Sequence, residues 1–195
     1  MEEAISNLNA SIAAQVKRLR SELGLSLEDL ATRSGVSRSM ISLIERAESS
    51  PTAAVLERLS VGLKVPLAAL FEAPVSSVSP LSRRADQPVW TDPDSGYTRR
   101  NVSPAGFASP ITIVEVQFPG GARVAYDTAA REPRVHQQIW LRQGLLDVRL
   151  GDLLHHLAPG DCVAMELDRP IMFYNPGQET AHYAVVIASD AGLRR

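Results

Sequence analysis

The sequence predicts two dissimilar folds in series, an α-helical bundle followed by an all-β domain. Three observations predict it. Apolar residues between positions 10 and 72 recur at spacings of three and four, the period of helices with one buried face. A stretch rich in Ser, Pro and Arg follows, PVSSVSPLSRRAD, and it has no apolar period, as in a linker. From Val89 onward the period becomes two, with turn residues about every 8–12 positions, the pattern of a β-barrel or sandwich. The expected bounds are 1–73 for the helical domain, 74–88 for the linker and 89–195 for the β domain.

In the first helix Ile12, Val16, Leu19 and Leu23 form one apolar stripe above a polar face carrying Lys17, Arg18 and Arg20, and Gly24 ends it. Ser26 followed by Asp29 resembles a capping box opening a second helix, Leu27 to Arg33, which Gly35 stops. Ser37 caps a third helix to about Arg46, and Ser49-Ser50-Pro51-Thr52 opens a fourth to about Leu63. Val65-Pro66 begins a short fifth, Leu67 to Phe71. In the β half Ile111 to Phe118 alternates around Glu115, and Gly120-Gly121 turns the chain. Gln138 to Leu141 and Leu145 to Leu150 flank Gly144 as hairpin arms. Further turns fall at Gly151-Asp152, Pro159-Gly160-Asp161 and Asn175-Pro176-Gly177, before a closing strand from His182 to Ala188.

Composition sets outer limits. The chain has 195 residues, 45% hydrophobic and 22% charged, which excludes a wholly disordered chain, a collagen-like fibre and a coiled-coil rod. No apolar run approaches the ~18 residues of a membrane span. Glu2 and Glu3 stand where a secretory leader has basic residues, so the chain is expected to stay in the cytoplasm, away from membranes. Cys162 is the single cysteine and is expected to be a small buried hydrophobe, neither bridged nor part of a cysteine-rich zinc site. Net charge is −2. Before residue 76 there are 8 basic and 9 acidic side chains, and after it 12 and 13. Bulk charge therefore does not favour nucleic acid, and any such reading rests on where the basic residues sit.

The core pattern of the helical half is Leu27-Glu-Asp-Leu-Ala31, then Gly35-Val36-Ser37, then Ile41 and Ile44. Ala31 is small where two helices cross, Gly35 permits the tight turn, and Val36 and Ile41 fill the space beneath. This is the sequence form of a helix-turn-helix. With Val36, Met40, Ile41 and Ile44 inward, Ser37, Arg38, Ser39, Ser42 and Arg46 face out, residue types that donate to phosphates and base edges. Residues 11 to 71, through SLEDLATRSGVSRSMISLIER, ESSPT and LERLS, resemble the lambda/Cro-type (XRE) regulators. The resemblance implies a five-helix lambda-repressor-like bundle with Arg38, Ser39 and Leu43 at base edges. It leaves Ser37, Ser42 and Arg46 for phosphates or neighbouring bases. Two positions depart from the family pattern: Leu27 where Gln is frequent, and Ala47 where Gly is frequent.

Residues 105 to 188, through PGGARVAYDTAAREPRVHQQIWLRQG and LAPGDCVAMELDRPIMFYNPG, resemble the cupin family. That resemblance implies a double-stranded β-helix barrel. By the family register the carboxylate ligand of a metal-bearing cupin falls on Gln137, two His ligands near Arg131 and Pro133, and the third on Ile171. Amide and hydrocarbon side chains are poor metal donors, so neither metal nor cofactor is expected. A fresh site from His136, His182 and Glu115 is the alternative. His155 and His156 are adjacent on a strand and face opposite ways, which favours a solvated surface pair. His136 is either a hydrogen-bonded core histidine or a contact to an organic ligand.

A small barrel either fills with side chains or encloses a ligand. The family register puts Glu115, Gln137, Ile139, Ile171 and Phe173 inside, whereas the opposite register puts His136, Gln138, Trp140, Met172 and Tyr174 there. A one-residue slip exchanges the sets. The candidate pocket is therefore Glu115, His136, Gln137, Gln138, Ile171 and Phe173. Arg123, Arg131 and Arg134 lean toward an anionic effector. The expected function is a non-enzymatic, sequence-specific regulator that binds double-stranded operator DNA as a homodimer and senses a small-molecule effector in its barrel. The alternatives are a metal-dependent cupin oxygenase or epimerase carrying a helix-turn-helix, and a scaffold whose helices bind protein alone.

Overall fold

A computed structural model describes residues 2–71, 79–107, 109–128 and 134–189. The chain divides into two compact units, Met1–Leu81 with Pro104–Phe107, and Ser82–Ser103 with Ala108–Arg195.

The helical unit contains α1 (Glu2–Glu22), α2 (Leu27–Ser34), α3 (Arg38–Glu45) and α4 (Ala53–Gly62). A five-residue 3₁₀ turn, Leu67–Phe71, stands where a fifth α-helix was expected. Pro66 begins it, and the segment is too short to settle into α-helical bonding. The helix boundaries follow from capping. Ser26 and Asp29 form a reciprocal box: the Asp29 amide donates to Ser26 Oγ at 3.1 Å, and the Ser26 amide donates to Asp29 Oδ2 at 2.9 Å. Gly35 closes α2 at φ 67°. Ser37 Oγ accepts from the Met40 amide at 3.2 Å and so starts α3.

Ile12, Val16, Leu30, Ile41, Ile44, Leu56, Leu59 and Leu70 are buried together as the core of this unit. Two expected members are not. Leu23 is 45% exposed, one residue past the end of α1, and Met40 is 37% exposed at the edge of the apolar stripe of α3. A close helix approach falls at Gly62, and Ala31 is half-buried. A Cβ on Gly62 would lie 2.9 Å from Ser34 Cβ and 3.2 Å from Ser34 Cα, so only glycine lets α4 reach α2 this closely.

The second unit has ten strands: β1 (Val89–Thr91), β2 (Thr98–Asn101), β3 (Ile111–Phe118), β4 (Arg123–Tyr126), β5 (Val135–Gln143), β6 (Leu146–Leu150), β7 (Leu153–Leu157), β8 (Cys162–Glu166), β9 (Ile171–Tyr174) and β10 (Ala181–Ser189). They form two sheets, ordered β1-β2-β3-β10-β5-β8 and β4-β9-β6-β7, with antiparallel pairing throughout. Alternate residues of both sheets face a common interior: Val114, Val116 and Phe118 on β3, Ile139 and Leu141 on β5, Tyr183 and Val185 on β10, Ile171 and Phe173 on β9. The rings of Phe173 and Tyr183, one from each sheet, stack with centroids 6.5 Å apart. Asn175, fully buried, pins the turn after β9: its Nδ2 donates to the carbonyls of Phe118 and Glu179, and its Oδ1 accepts from the Gly177 amide.

Three sequence expectations need correction here. Residues 74–78 of the expected linker lie outside the described residues, but the stretch from Ser82 belongs to the β unit, where Arg84 Nη1 sits 3.4 Å from Glu115 Oε2. Cys162 is exposed rather than buried, because on β8 it shares the outward face with Trp140 of β5. His155 is half-buried, so it is not a fully solvated partner to His156.

Asp29 accepts hydrogen bonds from the Ser26 hydroxyl and backbone, which hold its carboxyl below the usual carboxylate range. A lowered folded-state pKa contributes stability above the unfolded value, about 3.9, and that contribution is lost as pH falls through the folded value. Asp29→Asn is therefore expected to destabilise the helical unit at neutral pH, with the difference from wild type closing below about pH 4. Urea unfolding across that pH range checks it, and a pH-independent difference would contradict it.

Candidate nucleic-acid interface

The candidate interface is built on α3. At about 100° of rotation per residue, Arg38, Ser39, Ser42, Leu43 and Arg46 fall in one arc, while Ile41 and Ile44 point the other way. The burial follows this division. Ile41 and Ile44 are at 0% and 1% exposure, whereas Ser37, Arg38, Ser39 and Arg46 are exposed and Ser42 and Leu43 half-buried. All six residues expected to face DNA thus lie on or border one outward surface.

The base of α3 is fixed by an ion pair. Arg20 Nε donates to Glu45 Oε1 at 2.6 Å, Arg20 Nη2 to Glu45 Oε2 at 2.8 Å, and Arg20 Nη1 to the Leu25 carbonyl at 2.8 Å. Only 15% and 8% of the two side chains are exposed. Their separation of 25 residues hides the pairing from any local pattern, and the one available signal was that Glu45 follows directly on the buried Ile44. The bidentate contact raises the Arg20 pKa further above its ordinary value, through the Glu45 hydrogen bond first.

The outward side chains also have local partners. Ser37 Oγ lies 3.2 Å from Ser39 Oγ. Arg38 Nε is 3.9 Å from Glu28 Oε2, with both side chains mostly exposed. Arg46 is held more firmly: Nε and Nη2 donate to the two Glu48 oxygens at 2.9 Å each, and Nη1 donates to Ser42 Oγ at 2.8 Å. Glu48 is held below the usual carboxylate range by this contact.

After α3 the chain leaves through a Schellman turn, with the Ala47 amide donating to the Ile44 carbonyl and the Glu48 amide to the Leu43 carbonyl. Ala47 takes φ 56° there, the left-handed conformation that explains why glycine suits this position.

The β unit places its candidate residues on two faces. Gln137 is half-buried in the register of Val135 and Ile139, and Ile171 and Phe173 are buried on the inner face of β9. Glu115, His136 and Gln138 are on outward positions, since the neighbours that alternate with them are the buried ones. Glu115 lies 3.4 Å from Arg84 and 3.3 Å from Arg100, so the expected inward placement of this carboxylate is corrected. Trp140 is 46% exposed with the Arg142 guanidinium 4.6 Å above its ring, and Tyr174 is also outward. His156 Nδ1 sits 2.7 Å from Asp147 Oδ1.

Of an aromatic cluster in the interior, sequence reasoning named only Phe173. Tyr97, Phe118, Tyr183, Phe173 and Tyr126 run in succession with ring centroids 5.8 to 6.5 Å apart, and the Tyr97 and Tyr126 hydroxyls, 3.2 Å apart, complete the circuit. Burial drives the Tyr183 hydroxyl far above its ordinary pKa, keeping it neutral. Of the metal positions that the cupin resemblance implies, Arg131 and Pro133 lie outside the described residues. The other two present an amide and a hydrocarbon, Gln137 and Ile171, and such a donor set does not fit a transition metal.

Residues 16–70 match the family profile described as helix-turn-helix. They form a helix-turn-helix domain. The chain is 28% identical over 183 residues to the HTH-type transcriptional regulator SutR of Escherichia coli (strain K12), an alignment covering 94% of this chain and 97% of that protein. It is also similar to the crystal structure of an HTH_3 family transcriptional regulator from Vibrio cholerae, with TM-score 0.74, 26% identity, and coverage of 94% of this chain and 97% of that one. No helix among the described residues is long and apolar enough to cross a membrane.

Glu45→Ala leaves the Arg20 charge without its carboxylate in a site only slightly open to water. The expected loss is about 2–4 kcal/mol, measured by urea unfolding followed through helical circular dichroism. A loss below ~0.5 kcal/mol would place the pair among ordinary surface ion pairs.

Proposed function

We propose that this chain is a cytoplasmic, sequence-specific DNA-binding transcriptional regulator, not an enzyme, that acts as a homodimer on double-stranded operator DNA. In this reading its β unit is a cupin-type barrel that senses a small-molecule effector. The carrying observation is the outward arc of α3. A short helix capped at Ser37 and seated by Ile41 and Ile44 presents Arg38, Ser39, Ser42, Leu43 and Arg46 together, and a helix of this width enters the major groove. Arg38 and Ser39 reach base edges, with Leu43 a turn behind them. Ser37, Ser42 and Arg46 contact phosphates or adjacent bases. The similarity to SutR and to the Vibrio cholerae regulator over nearly the whole chain supports the same reading.

One such module contacts too few base pairs for tight specific binding, so two copies reading half-sites about one helical turn apart are required. In this reading the half-buried Gln137 and the Tyr97 and Tyr126 hydroxyls are the polar groups that orient a ligand in an otherwise apolar interior. Effector binding worth about 1–3 kcal/mol of coupling changes operator affinity roughly 5–150-fold.

Selection of the full-length protein against a random duplex library tests the DNA reading. Recovered sequences are expected to share two half-sites, and Arg38→Ala and Ser39→Ala are each expected to lose about 1–3 kcal/mol against them. Failure to enrich any sequence, or indifference to both substitutions, would leave the helices as a protein-binding scaffold. For the sensor role, thermal unfolding in the presence of metabolite pools is expected to show one ligand class that raises the melting temperature and shifts operator affinity. A stabilising ligand without effect on DNA binding would contradict the coupling.

A further inference from the structure

The clasp on Arg46 goes beyond the general reading of α3. Arginine has five N–H donors in a planar fork. Here Nε and Nη2 are each bonded to an oxygen of Glu48, and Nη1 to Ser42 Oγ one helical turn earlier. Three donors are thereby used, which leaves one on each of the adjacent Nη atoms. More than half of the side chain is exposed. The Schellman turn that places Glu48 against α3 requires the left-handed Ala47, so the backbone itself fixes the carboxylate beside the guanidinium.

Two consequences follow from elementary electrostatics. A cation already neutralised by a carboxylate attracts a phosphate weakly, since attraction to the DNA backbone depends on net positive charge brought to it. A guanidinium held in one orientation has already lost the freedom that base recognition must otherwise remove, and its remaining fork matches paired acceptors such as guanine O6 and N7. A free surface arginine does the reverse: it binds any phosphate and selects poorly.

We propose that Glu48 is a specificity-determining residue: it positions Arg46 to read a base edge, of guanine type, and suppresses the arginine's use as a general phosphate contact. This rests on the reading of α3 as a DNA-recognition helix. Glu48 itself is a positioning residue and touches no base.

The test is fluorescence anisotropy with the full chain, comparing a library-selected duplex and a random-sequence duplex over a salt series. Glu48→Gln is expected to bind random duplex about threefold tighter at ~0.1 M salt, with the salt slope steeper by about 0.9. Its affinity for the selected duplex is expected to fall about threefold, so the ratio of the two drops about tenfold. Glu48→Asp keeps the charge and is expected to restore part of the ratio. Arg46→Lys keeps the charge but loses the fork, so it is expected to lose about tenfold on the selected duplex with its salt slope unchanged. If Glu48→Gln shifts both affinities by one factor, or neither, the proposal is overturned while the DNA reading stands. Should wild type bind no duplex even at low salt, the DNA reading fails and the proposal with it.

Discussion

The orientation of α3 depends on the Arg20–Glu45 pair. Apolar packing by Ile41 and Ile44 presses α3 into the bundle, but packing is non-directional and tolerates rotation of so short a helix. The two parallel N–H···O contacts between α1 and the last turn of α3, with the third Arg20 donor on the Leu25 carbonyl, fix that rotation. Rotating so short a helix moves every side chain on its outward arc, and recognition depends on placement at the scale of a hydrogen bond. Buried ion pairs contribute little net stability and are suited to specifying one arrangement among several. Here the arrangement specified is the one that decides which side chains face out.

Charge is handled the same way across the helical unit. The guanidiniums of Arg20 and Arg46 each meet a carboxylate bidentately, and Arg38 stands near Glu28. This accounts for a DNA-reading surface on a unit whose net charge is close to neutral. Its positive charge is arranged for direct contact and not broadcast as a long-range field. In the β unit some charge is outward, where Glu115 meets Arg84 and Arg100 and Asp147 meets His156, but Asp92 and Arg99 are buried. The interior keeps aromatic rings and the hydroxyls of Tyr97 and Tyr126.

Much of the fold was legible because it is written locally. The Ser26–Asp29 box, Gly35 and the Ser37 cap are short-range patterns with one physical outcome each, and the helix ends fall where those residues set them. Strands β3, β5, β6 and β10 were visible as alternation around glycine and proline turns. Strands β1 and β2 are short, and their residues carry no clear alternation, so only the pairing reveals them. The face of each strand was not legible either. A period of two looks the same from both sides, which is why His136 and Gln138 entered the candidate pocket beside Gln137, Ile171 and Phe173, while Glu115 came with the family register, which fails on β3. The partners of Glu45 and Glu48 were not legible for a different reason: one lies 25 residues away and the other across a left-handed turn.

The central claim is that the outward arc of α3 enters a DNA duplex. Backbone amide chemical shifts of the full chain, followed as a library-selected duplex is added, test it most directly. The account predicts the largest shifts at Ser37 to Arg46. Binding that leaves those amides unmoved while perturbing other surfaces would contradict it.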